Sequence, residues 1–568
     1  MRNGSMATYV MMALPLLLLV GFLVYPVLGV LILGLVIGPG SSFQDVMSSQ
    51  VTHATLWFTF LQAAASTVLA VALGLPGAFL LARLEFKGKQ AVRAAVILPF
   101  ILPPIVVVVG FLRMFGSYGF VDSVAMALTG ATESVVNFAA GVPGIVLAHA
   151  FYNIPLVILL VSAALERLDP DIEDTAELLG ASSSQKLRRI VLPHVMPSLL
   201  SAAILTFLFC FMSFPIVLAL GQGRYMTLEV LIYYAFSSFD FGMTSSIAVI
   251  QILILMTLAI AYAAAIRSDK RDAGQTSFIK TVSPAELSGP HLLGGILYAL
   301  LIGVIVVGPM IAVIDSAVFD PVTGQYTLKG FLSLLEVEGG LLPLANSLFY
   351  ATLATLFSVV MGIPLAYSLR SRSGLLSNST SVMILLPLGV SSITMAYGLL
   401  RFIAVPTGWA ANPWPLIIIA QTLIGVPFTA RAIESSLRGI DPSLLDQADS
   451  LGASRLQKLF FVELPLLAPG ILVGAAFAFA MAIGEMSATL FLKREQNVTL
   501  AVTIYENLGV RRFVEAGAAS LLLLVVCFIA FLVIQRASES AFKGQSDGPC
   551  CTKWIGKGVR RWYAHWTH

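Results

Sequence analysis

Charge is scarce in this chain. Asp, Glu, Lys and Arg together make up 11% of its 568 residues, less than half of the roughly 25% usual in soluble domains. With 58% hydrophobic residues and a mean hydropathy of +0.91, that scarcity excludes a soluble globular chain. Cysteine is scarce too: Cys210, Cys527, Cys550 and Cys551 are the only four. Their spacing fits neither a disulfide framework nor a zinc site. Cys550, Cys551, His565 and His568 in the tail suit no common metal geometry, so no metal is expected. No G-x-x-x-x-G-K-[ST] stretch occurs, which excludes a phosphate loop of that type. No large polar region could form a separate receptor domain, and nucleic acid is not an expected partner.

What is abundant is long apolar runs, and a bilayer crossing needs about 20 such residues. Runs bounded by charges or Gly/Pro clusters predict spans at 8–37, 53–82, 94–114, 142–165, 199–220 and 244–266. A second set follows at 292–315, 342–369, 380–401, 414–434, 471–492 and 513–536. The first run is too long for a signal-peptide core and is read as a retained span. The expectation is an all-α membrane protein of about twelve helices in two parallel six-helix repeats. A first domain covers 1–266, a linker 267–291, a second domain 292–536 and a tail 537–568. Lys and Arg gather on one side, as in Arg83, Lys87, Lys89 and Arg93, then Lys186, Arg188 and Arg189, then Arg438, Arg455 and Lys458. Arg511 and Arg512 are exceptions. The positive-inside rule therefore puts both termini in the cytoplasm of a multi-pass cell-membrane protein. An even span count makes the repeats parallel, related by an axis along the membrane normal.

One charged segment is written twice. DPDIEDTAELLGASSSQKLRRIVLPHVMP (169–197) and DPSLLDQADSLGASRLQKLFFVELPLLAP (441–469) agree without a gap at 14 of 29 positions. Each carries an acid, an Ala two residues on, and Gly six residues after the acid. Helical periodicity stops at that Gly, the favoured residue where a helix ends in a left-handed turn. The segment after it can start a second short helix, which Pro193 or Pro465 is expected to stop. A helix–Gly–helix elbow held at fixed length in both halves, on the cytoplasmic side, points to two equivalent docking places.

These residues resemble the EAA loop of binding-protein-dependent ABC importer permeases, E-A-A-x3-G-x9-I-x-L-P. The spacing matches at both sites, while Asp174-Thr175-Ala176 and Asp446-Gln447-Ala448 stand in place of Glu-Ala-Ala. The resemblance implies that Asp174, Ala176, Gly180, Ala181 and Ser182, with Asp446, Ala448, Gly452, Ala453 and Ser454, couple to two ATPase subunits. It further implies an extracytoplasmic solute-binding protein, ATP and Mg on the partner subunits, no cofactor on this chain, and a pathway rather than an enzyme. FMSFPIVLALGQGRYMTLEVLIYYAFSSFDFGMTSS (211–246) and AIGEMSATLFL (482–492) are similar to the ferric-iron, thiamine and aminoethylphosphonate branch. Within that branch the reading leans to ferric iron, then thiamine.

Glu485 falls near the middle of a predicted span, where an ionisable group normally faces a pathway or a partner. It is a candidate pathway residue, with Ser213 at the corresponding place of the first half. A carboxylate tying packed helices is the competing account. Glu229 and Asp240 are read as solvated outer-loop residues, and His149 and Asn153 as helix–helix hydrogen bonds. Prolines 99, 103, 104, 155, 215, 364, 387 and 427 interrupt spans. The alternative function is an ion-coupled secondary transporter of twelve spans, which would be expected to carry several midplane ionisable residues.

Overall fold

A computed structural model of the chain describes residues 13–37, 41–269, 281–283, 286, 289–336, 340–370, 383–384 and 386–546. The tail cysteines and histidines lie outside these. Among the described residues eleven helices are long and apolar enough to cross a membrane. The first half supplies span 1 (Ala13–Val36), span 2 (Gln50–Arg83), span 4 (Gly141–Leu165), span 5 (Ser183–Phe211) and span 6 (Phe241–Asp269). The second supplies span 7 (Gly289–Ser316), span 8 (Leu342–Arg370), span 10 (Trp414–Arg438), span 11 (455–483) and span 12 (Phe513–Ser546).

The eleventh, Pro104–Thr129, begins within span 3, and spans 3 and 9 differ from expectation. The helix predicted at 94–114 is two helices, Lys89–Ile101 and Pro104–Phe115, with Leu102 and Pro103 extended between them. The physical cause is Pro103-Pro104, because each Pro drives the residue before it out of the helical region. The run predicted at 380–401 is broken as well. A short 3-10 turn, Leu386–Gly389, leads to extended Ser391, whose hydroxyl caps the helix Ser392–Leu399 by accepting from the Thr394 N–H at 3.2 Å. Pro155, Pro364 and Pro427 lie inside continuous helices.

Spans 5 and 11 end early in a matching way. After Phe211 the chain breaks at Met212–Phe214 and resumes as the short helix Pro215–Leu220, then Leu228–Ser237. After Ile483 it breaks at Gly484–Met486 and resumes as Ser487–Leu492, then Leu500–Gly509. The halves share an equivalent cap: the Thr59 hydroxyl accepts from the Leu228 N–H at 3.1 Å, and the Ser347 hydroxyl accepts from the Leu500 N–H at 2.8 Å. Residue numbers thus differ by 288 in spans 2 and 3 and by 272 from the elbows through spans 6 and 12. Within the apolar region such caps do what water would do elsewhere.

The halves interlock. Span 1 packs on span 9 of the second half, and span 7 packs on span 3 of the first. Equivalent glycines permit both contacts: a Cβ on Gly110 would fall 2.3 Å from the Pro309 carbonyl oxygen, and one on Gly398 would fall 3.0 Å from the Pro26 Cβ. Arg113 at the end of span 3 pairs with Asp315 of span 7 at 2.5 Å and lies over the Phe319 ring.

A fixed backbone oxygen yields less than a proline ring edge. Gly110→Ala is therefore expected to destabilise the purified protein by about 1–3 kcal/mol, the usual cost of overpacking, with Gly398→Ala costing less. Gly303, in span 7 with nothing near a Cβ, is the control. Its change to Ala is expected to be neutral or stabilising by up to about 1 kcal/mol. Thermal unfolding in detergent checks the order.

Candidate functional site: two elbows and a broken midplane

Each elbow is built from local rules. Asp169 accepts from the Asp171 N–H and Asp441 from the Ser443 N–H, capping helices that carry Pro170 and Pro442 in their first turn. Those helices end in the same double bond. The Ala181 N–H donates to the Ala176 carbonyl at 2.9 Å and the Gly180 N–H to Glu177 at 2.9 Å. In the second elbow the Ala453 N–H donates to Ala448 at 3.0 Å and the Gly452 N–H to Asp449 at 2.9 Å. This six-to-one, five-to-two pattern requires a left-handed residue, and Gly180 and Gly452 have φ of +81° and +79°. Ser182 and Ser454 then start the next helix, each closing a box with Gln185 or Gln457. Nearly every predicted elbow residue thus has a local reason.

The elbows present apolar side chains outward. Leu178 and Leu179 are 88% and 83% exposed, and Leu451 is 85% exposed. Lys186 reaches Glu177 at 2.7 Å, and Lys458 reaches Asp449 at 2.6 Å, across each glycine turn. These exposed pairs contribute little stability, and each bridges the two arms of its elbow. Arg83 at the end of span 2 pairs with Glu173, tying the first elbow to the membrane part. Asp174 is half-buried and Asp446 exposed.

The expected stop at Pro193 and Pro465 does not occur. One π-turn, Leu187–Val191 or Leu459–Glu463, precedes each proline, and the helix runs on through Pro197 or Pro469. A Pro lacks the N–H that an α-helix would use, and a wider turn absorbs the ring. The second arm of each elbow is therefore the first turn of span 5 or span 11.

Glu485 is not inside a continuous span. It sits in the 484–486 break, 8% exposed, and its carboxylate accepts from the Ala488 N–H at 2.7 Å, the Thr489 N–H at 3.0 Å and the Thr489 hydroxyl at 3.0 Å. It caps the short helix Ser487–Leu492. A Cβ on neighbouring Gly484 would meet Pro103, so this break lies against the span 3 break of the other half. Ser213 occupies the matching break of the first half, where its carbonyl accepts from the Thr227 hydroxyl at 3.1 Å. The reading of Glu229 as solvated is corrected: it is buried on Leu228–Ser237 and accepts from the Gln251 side-chain amide at 3.1 Å. Asp240 does lie in the connection. Partial burial opposes its ionisation, but hydrogen bonds from the Met243 N–H and from Ser41 outweigh that and lower its pKa. His149 and Asn153 meet Ser66 and Cys210, as expected for helix contacts.

What reasoning on residues missed was the Ser-x-x-Gln boxes and the matched Lys pairs, both readable once the elbows are aligned. Glu229 and Gln251 carried no such signal.

Duplicated elbows, each continuous through a π-turn with a span in one of two parallel sets of membrane helices, define a transport permease. Residues 70–270 and 358–544 each match the family described as binding-protein-dependent transport system inner membrane component, and the chain belongs to that family. It is a multi-pass membrane subunit of an ABC importer, a pathway component that works with ATPase and binding-protein partners, not an enzyme. That sets aside the ion-coupled alternative. The chain is 27% identical over 504 residues to the thiamine transport system permease protein ThiP of Escherichia coli, covering 87% of this chain and 90% of the relative. It is 26% identical over 490 residues to ThiP of Brucella abortus (85% and 87%), and 24% identical over 512 residues to the probable ABC transporter permease protein y4fN of Sinorhizobium fredii (87% and 89%). None of these names carries iron, so the lean to ferric iron is without support.

Removing the Glu485 cap leaves buried N–H groups unpaired. Glu485→Ala is expected to cost about 1–2 kcal/mol of stability and to lower the amount of folded protein, with Glu485→Gln milder. Detergent-solubilised yield and thermal midpoint check this; unchanged values for Glu485→Ala would contradict the capping role.

Proposed function

We propose that this chain is the translocation pathway of a thiamine importer, with the elbow face in the cytoplasm. The observation that supports the coupling part is the elbow whose second arm continues as helix, through one π-turn, into a membrane span, present twice. Two ATPase subunits, holding ATP and Mg, dock on Leu178–Ser182 and Leu451–Ser454, with Asp174 and Asp446 on the adjoining helix. Their exposed leucines supply apolar anchors of the kind that dominate interfaces. Closure of the ATPases tilts spans 5 and 11 as levers, because the π-turn transmits rotation where a loop would absorb it. Both termini are cytoplasmic, and domains 1–266 and 292–536 act as the two halves, with membrane lipid around them and a binding protein delivering cargo from the far face. Thiamine is chosen because that word appears in the names of relatives matched over most of both chains.

The test is reconstitution of the permease with its ATPases and binding protein in proteoliposomes. ATP-dependent thiamine uptake that survives collapse of ion gradients is the expected result; uptake that follows a gradient and ignores ATP contradicts it. In the same system Gly180→Val with Gly452→Val should cut uptake at least tenfold while the spans stay folded. Nothing lies near a Cβ at either glycine, so the cost, about 1–2 kcal/mol each, is conformational. Asn, which visits the left-handed region more readily than other residues with a side chain, should retain most of the uptake at both positions. Normal transport by the double Val variant contradicts the docking assignment.

A further inference from the structure

The two halves meet at two equivalent junctions, and only at one do the helix after the span 5 or 11 break, span 6 or 12 and the facing span 9 or 3 present polar side chains to one another. At the first, Leu228–Ser237 and span 6 of the first half face span 9 of the second. There the Gln251 amide donates to Glu229 at 3.1 Å, while the Ser391 and Thr394 hydroxyls reach the Gln251 carbonyl oxygen at 3.5 Å. One turn on, the Tyr397 hydroxyl meets Ser245 at 2.8 Å. All of these side chains are buried. Applying the offsets of 272 and 288, the other junction has Ala501 and Leu523 for Glu229 and Gln251. It has Pro103, Val106 and Val109 for Ser391, Thr394 and Tyr397.

The rings follow the same division. Phe236 lies 4.1 Å from Phe491 between centroids, and Tyr397 lies 6.0 Å from Phe236 and 6.2 Å from Phe491. Their counterparts are Leu508, Ala219 and Val109. Glu229 and Phe236 are seven residues apart on one helix, so they share a face about 10 Å apart along it. The helix runs outward, which puts the rings nearer the far face and the carboxylate deeper. Glu229 has no ion-pair partner among the described residues.

The duplicated fold does not need polar side chains at these positions for packing, since the equivalent positions of its second copy are apolar. Burying a carboxylate in a membrane with no cation beside it, and with the Glu485 carboxylate within electrostatic reach, is costly, and such residues mark function. We infer that this junction is the cargo-recognition face, and that it takes a planar heteroaromatic cation. The rings hold the cation by cation–π attraction, and Glu229 with Gln251 reads charge and hydrogen-bonding edge. In this structure the faces close on each other, and separation of the halves uncovers them. A ligand without two-fold symmetry needs the site once. The inference rests on the thiamine reading, whose thiazolium and aminopyrimidine rings fit this chemistry.

The test is ATP-driven uptake of labelled thiamine by the reconstituted complex carrying Glu229→Gln, Glu229→Asp or Tyr397→Leu, with Val109→Ala at the apolar junction as control. Glu229→Gln should lose at least tenfold in uptake, and Glu229→Asp should lose less, with a raised KM. Tyr397→Leu should lose several-fold. Binding-protein-stimulated ATP hydrolysis should stay within twofold in all, and Val109→Ala should match the wild type. Thiamine uptake by wild type and Glu229→Gln at equal rates overturns the inference and leaves the thiamine reading standing. A parallel fall of uptake, hydrolysis and folded yield in Glu229→Gln and Glu229→Asp alike also overturns it, since that is a structural role. No thiamine uptake by the wild type removes the reading and the inference together.

Discussion

The structure depends on one constraint: every backbone N–H freed by a broken helix inside the apolar slab must find a partner. Four interruptions are built into the fold, around Leu102–Pro103, Met212–Phe214, Ser391 and Gly484–Met486. Unpaired, each freed group costs several kcal/mol in hydrocarbon. The chain answers with side chains placed for the purpose. Ser391 and Glu485 cap the helix that follows each of them, Thr59 and Ser347 cap helices from across the half, and Pro104 and Pro215 simply lack the donor. These caps permit short helices at mid-membrane, where the two halves meet.

The elbows stand at the other end of spans 5 and 11. Their geometry is set by a few rules acting within a dozen residues: an Asp cap, a left-handed Gly, a Ser–Gln box and a Lys–acid brace. Because those rules are local, the helix–Gly–helix outline and the left-handed turn at Gly180 and Gly452 were legible from the amino-acid order, while the Asp caps, the Ser–Gln boxes and the Lys braces emerge only with the structure. Asp169, Gly180 and Ser182 each sit where their chemistry requires, and the second copy confirms the register. Hydropathy likewise located spans 1, 2, 4 to 8 and 10 to 12, since about 20 apolar residues need no partner to declare themselves.

What stayed hidden depends on contacts between distant segments. Spans 3 and 9 are as apolar as their neighbours, and only the double proline at 103–104 hints at the first break; Ser391 gives no comparable sign. Glu485 reads as a lone midplane charge until the helix is seen to end before it. Glu229 reads as a loop residue because Thr-Leu-Glu after a Gly-rich turn is equally a helix start in solvent. Its burial comes from Gln251, 22 residues away, and from Ser391 in the other half. The π-turns before Pro193 and Pro465 are similar: a proline announces a stop unless the following helix is packed firmly enough to carry it through, as spans 5 and 11 are.

The central claim is that elbow and span move as one body. Spin labels at Leu178→Cys and Ser450→Cys report the elbows, and labels at Leu205→Cys and Phe477→Cys report spans 5 and 11 four to five turns further on. Pulsed dipolar spectroscopy on the complete complex, with and without trapped nucleotide, gives both distances. The account predicts that the two pairs shift in the same nucleotide-dependent step. An elbow distance that changes while the 205–477 distance stays fixed would show a joint at the π-turn and contradict it.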